Sequence, residues 1–92
     1  MAGPRYIADP PGALESVELD GLTLVFHRPS GMTHLLAPPA PQILEALAGR
    51  IGDADEILAR ISGRFEVEAE DPAGAVTARL AELEAAGLVR QA

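Results

Sequence analysis

The sequence predicts an α+β domain of winged helix-turn-helix outline, a three-stranded antiparallel sheet followed by three helices. Three observations predict it. Residues 14–36 divide into strand-length segments at two turn signatures. Residues 40–86 carry three apolar runs at helical spacing. The two kinds of segment are segregated along the chain, which separates an α+β domain from an alternating α/β one.

Residues 1–13 read as a flexible N-terminal arm, because Pro4, Pro10 and Pro11 with Gly3 and Gly12 leave little periodicity. Residues 14–92 then form a single domain. Its first strand alternates, with Val17 and Leu19 on one face and Glu18 on the other. Asp20-Gly21 follows, a pair suited to a type I′ turn that needs positive φ at both positions. With that pair as the loop, Leu19 faces Leu22 and Val17 faces Leu24, so both apolar pairs share one face.

The second strand, LTLVFH, is rich in β-branched and aromatic residues. Arg28-Pro29-Ser30-Gly31 has proline and glycine where a type I turn wants them. Centring that turn on Pro29-Ser30 pairs Phe26 with Thr33 and Leu24 with Leu35. Leu24, Phe26 and Leu35 then join the core, while Val25, Met32, His34 and Leu36 line the opposite face. A three-residue loop would exchange the third strand's faces. In either register both faces of MTHLL carry large apolar groups, more than an outer strand needs for folding alone.

Pro38-Pro39-Ala40-Pro41 suits a helix entry, since a first-turn proline lacks an N–H that the helix does not need. Ile43, Leu44, Leu47 and Ile51 continue at helical spacing until Gly49 and Gly52 end the run. Asp53-x-x-Glu56 is an acidic capping box. It starts a second amphipathic helix through Ile57, Leu58, Ile61 and Phe65. Glu66, Glu68, Glu70 and Asp71 make a solvated connector. Asp71-Pro72 is an N-cap followed by proline, and Val76, Leu80 and Leu83 form the stripe of a third helix over 72–86. Gly87 ends it, and Leu88-Val89 can continue as a short strand.

Composition narrows the function. The formal charge is −7, with seven arginines scattered among acids and no lysine. Nucleic-acid binding draws its affinity from clustered cations, and an anionic membrane surface makes a similar demand. Neither partner fits. There is no cysteine, so disulfides and thiolate metal sites are excluded. No apolar run approaches the roughly 20 residues of a bilayer span, and the N-terminus lacks the layout of a secretory signal. A soluble, bacterial-type cytoplasmic protein is the expectation. His27 and His34 flank one turn without a third ligand, so no metal site is expected. Ser30 has no evident His/Asp partner and no Gly-rich loop precedes a helix, so neither catalysis nor a cofactor is expected.

The stretches DGLTLVFHRPSGMTHLLAPPAPQILEAL, DEILARISGRF and AVTARLAELEAAGLV together resemble the PqqD-like proteins, also called RiPP recognition elements. Within them the chain is most similar to the peptide chaperones of the HPr-kinase-related A system. The resemblance spans residues 14–90. It rests on Ser30-Gly31, on Leu36-Ala37-Pro38, and on Leu80, Leu83 and Gly87-Leu88. Ala37 stands where the family usually has Asn, which removes a side-chain cap from the first helix.

The resemblance implies a peptide-binding adaptor rather than an enzyme. Such a module binds the leader segment of a ribosomally synthesised precursor peptide and presents it to a modifying enzyme, kinase-like or radical. It implies that the leader adds as a strand beside Met32, Thr33, His34, Leu35 and Leu36, against a helix wall of Val76, Arg79, Leu80 and Leu83. Arg79 would pair with a leader carboxylate, and Arg79→Glu should then lower peptide affinity.

Plainer roles compete at each position. Leu80 and Leu83 suit the core, with the groove floor as a second use. Arg79 suits an ion pair with Glu82 on the helix surface. Met32 could merely cover the sheet, although an adaptable side chain suits variable ligands. A regulatory winged-helix module that binds another protein is the alternative function. Its DNA-binding form would need a basic third helix, yet residues 72–86 carry one arginine against Glu82 and Glu84. Titration with duplex DNA at low salt separates these readings. An unpaired outer strand also leaves monomer and edge-strand dimer open.

Overall fold

A computed structural model describes residues 3–92. Its strands are β1 (Tyr6–Ala8), β2 (Leu14–Leu19), β3 (Leu22–His27), β4 (Met32–Leu36) and β5 (Val89–Gln91). Its helices are α1 (Ala40–Ala46), α2 (Ala54–Ile61) and α3 (Pro72–Ala85), with a 3-10 turn at Pro11–Ala13. The antiparallel sheet β2-β3-β4 followed by three helices is the predicted α+β architecture.

Both predicted registers form. Leu19 pairs with Leu22 and Val17 with Leu24, and Asp20 and Gly21 both have positive φ. Phe26 pairs with Thr33 and Leu24 with Leu35. The core face is the opposite of the one expected. Val25 is 2% exposed and joins the helices, with Leu36 and Leu14 packed behind it. Val17, Leu19 and Leu35 are 58%, 51% and 60% exposed on the outer face, where Leu24 and Phe26 are half-buried. Counting apolar residues favours that outer face, because the inner one carries Ser16, Thr23, His27 and His34. Burying His27 is tolerable here because both ring nitrogens are hydrogen-bonded, to Ser30 and to Asp9.

The expected arm is corrected at Tyr6–Ala8, while its residues 1–2 lie outside the described residues. Tyr6–Ala8 is a strand, antiparallel to β5 and stitched on its other side to the segment after α1. The Tyr6 N–H donates to the Gly52 carbonyl at 2.8 Å, and the Ala8 N–H to that of Leu47 at 3.0 Å. Tyr6 and Ala8 are buried in the core. The same stitching explains why α1 stops at Ala46 and does not run on to Ile51, which is exposed. β1 engages the Leu47 carbonyl and the Gly49 N–H that a further helical turn would use. The Arg60 guanidinium then donates to the carbonyls of Ala46 and Ile51.

The other helix signals are realised. The Glu56 N–H donates to Asp53 Oδ1 at 2.8 Å, and the Asp53 N–H to Glu56 Oε1 at 3.0 Å. Helix α2 ends at Ile61, so Phe65 lies beyond it with its N–H on the Ile61 carbonyl. Asp71 caps α3 through the Gly74 N–H at 3.1 Å. Ile43, Leu44, Ile57, Val76, Leu80, Leu83 and Leu88 form one continuous core with the sheet.

Candidate functional site

Strand β4 is set by its turn. Gly31, at φ +70°, donates its N–H to the His27 carbonyl at 2.8 Å. The Met32 N–H donates to Ser30 Oγ at 3.3 Å as the new strand starts. From there β4 pairs only with β3 among the described residues, so its other edge carries unpaired main-chain groups. Met32 is 57% exposed, and Thr33 and Leu35 are exposed on the outer face. His34 and Leu36 turn inward and are half-buried, Leu36 against the core. The five predicted strand residues therefore form one continuous free edge.

The predicted helix wall lies on α3, where its leucines take the core role that their stripe also suits. Val76, Leu80 and Leu83 are at most 2% exposed, inside the core, where α3 packs on α2, α1 and β5. Arg79 is on the same helix with Nη2 2.6 Å from Glu82 Oε2, the surface pair that its spacing suggested. Its Nε is nonetheless buried without a partner, as is His34 Nε2. These two nitrogens are unused polar groups on the two elements that the resemblance singles out.

Two concavities lie elsewhere. One, of about 620 Å³, opens between α1 and the inner face of β2 and β3. The other, of about 160 Å³, lies among Gln42, Glu45, Ile61, Arg64 and Phe65. Neither is lined by β4 or α3. The candidate peptide site is a strand edge rather than a ready-made cavity. The larger groove has no sequence signal, because its walls are brought together only by the packing of α1 on the sheet.

Ser30, by contrast with its expected isolation, has both a histidine and an aspartate. His27 Nδ1 lies 2.7 Å from Ser30 Oγ, and Nε2 lies 2.7 Å from Asp9 Oδ2. An ionised carboxylate only accepts, so Nε2 carries the proton. Acyl transfer would further need N–H donors free to hold an oxyanion. Those beside Ser30 are engaged, Gly31 on the His27 carbonyl and Met32 on Ser30 Oγ itself. Neither of the two concavities described above is lined by any of the three residues. The chain Ser30–His27–Asp9 is a clasp tying the segment after β1 to the β3–β4 turn.

Arg90 joins the clasp at 3.3 Å from Asp9 Oδ1. The hydrogen bond from His27 chiefly, with Arg90 adding to it, holds the Asp9 carboxyl below its usual pKa against the opposing effect of burial. A depressed carboxylate contributes stability that is present above its unfolded pKa and is lost as pH falls through the folded one. Asp9→Asn should therefore cost about 1 kcal/mol at pH 7, a modest figure because the site is partly open to water. Urea unfolding should show that difference shrinking below about pH 4. A difference that stayed constant down to pH 2 would contradict the clasp.

Among the described residues no group of three or more His, Asp or Glu side chains could hold a metal ion. Among the same residues no helix is long and apolar enough to cross a membrane.

Residues 23–89 match the family described as Coenzyme PQQ synthesis protein D (PqqD). The solved structure titled "TbiB1 in Complex with the TbiA(beta) Leader Peptide" superposes with a TM-score of 0.58 at 19% identity. That match covers 89% of this chain and 94% of the other, and at this identity it shows a shared fold. No curated protein matches the sequence.

Proposed function

This chain belongs to the PqqD family, and from that premise we propose that it is a peptide-binding adaptor. It holds the leader segment of a ribosomally synthesised precursor peptide as a fourth strand beside β4 and presents it to a modifying enzyme. The observation that carries this reading is the free edge of β4, with large side chains on both faces. TbiB1, which shares this fold, was solved in complex with a leader peptide, and that supports the same direction.

The chemistry is that of strand addition. Alternate peptide N–H and C=O groups complete the ladder that β4 leaves open, and main-chain bonds give affinity without demanding one sequence. Side chains on one face of the added strand would lie beside His34 and Leu36, and those on the other beside Leu35. Selection follows from that alternation. Arg79 Nε awaits an acceptor and His34 Nε2 a hydrogen-bond partner, and a leader carboxylate would compete with Glu82 for the Arg79 guanidinium. Val76, Leu80 and Leu83 hold α3 in place from behind. The adaptor acts by positioning, with no bond made or broken by its own side chains.

Strand addition has a period of two, and that is its test. Leader peptides N-methylated at alternate residues should bind about 100-fold more weakly in one frame, where about three main-chain bonds are lost. They should bind nearly normally in the other frame, whose N–H groups point away. Equal loss in both frames would exclude an added strand.

A further inference from the structure

We propose that the groove between β2 and α1 is a second peptide site, selective for an extended segment carrying an arginine or lysine. β2 is the other outer strand of the sheet, paired only with β3 among the described residues, and five of its six residues are exposed. Its free edge borders the groove of about 620 Å³, a size that suits side chains of a bound segment.

The lining chooses the ligand's charge. Its polar side chains are Ser16, Glu18, Thr23, Gln42 and Glu45, and no Arg, Lys or His lines it. Glu18 makes no ion pair among the described residues, and Glu45 has only a 3.8 Å contact with Arg64 at the surface. Gln42 lies between this groove and the smaller concavity, and its side-chain oxygen is buried without a hydrogen-bond donor. Two carboxylates and an orphaned acceptor call for a ligand that only donates, as guanidinium and ammonium groups do.

The apolar part of the lining fits the rest of such a side chain. Leu14, Val25 and Leu44 offer a surface along which the methylenes of Arg or Lys lie while the charged head stays at the mouth. A segment pairing with β2 sends every second side chain toward this lining, so an alternating basic sequence would fill it. Because β2 and β4 are opposite edges of one sheet, the two sites can be occupied together. This second site stands apart from the leader-binding reading.

The test is an amide NMR titration of the full chain with a capped synthetic peptide of alternating arginine and threonine, beside the same peptide with glutamate for arginine. The expected result is shifts at residues 14–18 and 41–48 with the basic peptide alone, weakened by added salt. The double variant Glu18→Gln, Glu45→Gln changes only exposed side chains and should bind it about tenfold more weakly. Shifts confined to Met32–Leu36, binding of both peptides alike, or no binding would each overturn the second site. The leader site is read by different amides, so its failure and this one are distinguishable.

Discussion

Leu80→Ala will lower the unfolding free energy by about 3 kcal/mol, within the 2–5 kcal/mol typical of buried leucines. Leu80 is 1% exposed at the centre of α3, between Val76 and Leu83 in the stripe that faces the core. Truncation there removes apolar contact and leaves a cavity that the helices on either side fill only in part. Against a total stability of about 5–15 kcal/mol for a domain of this kind, the loss is large. The resemblance alone would make Leu80 a peptide contact. Burial makes it a support, so peptide affinity of the folded variant should stay within about threefold of the parent. Urea unfolding and peptide titration on one sample check both halves. A stability loss below 1 kcal/mol with a large loss of affinity would return Leu80 to the groove wall.

Tyr6→Ala will be comparably damaging, by about 3 kcal/mol. Tyr6 is 7% exposed, and its main chain exchanges hydrogen bonds with Gly52 in both directions. Loss of the ring uncovers the start of β1 and weakens its grip on β5. Val89 and Leu88, both buried, then lie at a loosened edge. Amide exchange should accelerate at residues 89–91 and at Gly52 together. If residues 1–13 were a flexible arm, the substitution would change neither stability nor exchange.

These effects also show what the sequence makes legible. Turn chemistry is local, so Asp20-Gly21 and Arg28-Pro29-Ser30-Gly31 predict both hairpin registers residue by residue. The caps at Asp53 and Asp71 are local too, and both form. Strand β1 is not local. Its partner lies more than eighty residues away, and a three-residue strand between prolines carries no period of its own. The inverted sheet face has a similar cause. Alternation shows which residues share a face, but the helices decide which face is covered. Buried His27 counts as polar until Asp9 and Ser30, one of them across the fold, are seen to satisfy it.

The candidate site divides the same way. Met32–Leu36 is legible as an outer strand with too much apolar surface for its position. The expected wall of Val76, Leu80 and Leu83 has the spacing of a helix stripe, which looks the same in sequence whether it faces a groove or a core. The β2–α1 groove is invisible before folding, because Glu18 and Glu45 are far apart in the chain. Its acidic lining is a property of packing.

The measurement that reaches the central claim most directly is an amide NMR titration with the leader half of a candidate precursor peptide. Strand addition predicts shifts concentrated at Met32–Leu36, with smaller ones around Arg79 and none along Leu14–Leu19. The Glu82 side chain should respond as its partner is drawn away. Saturable binding of that leader with β4 undisturbed, and shifts only elsewhere on the domain, would contradict the adaptor mechanism while leaving the fold intact.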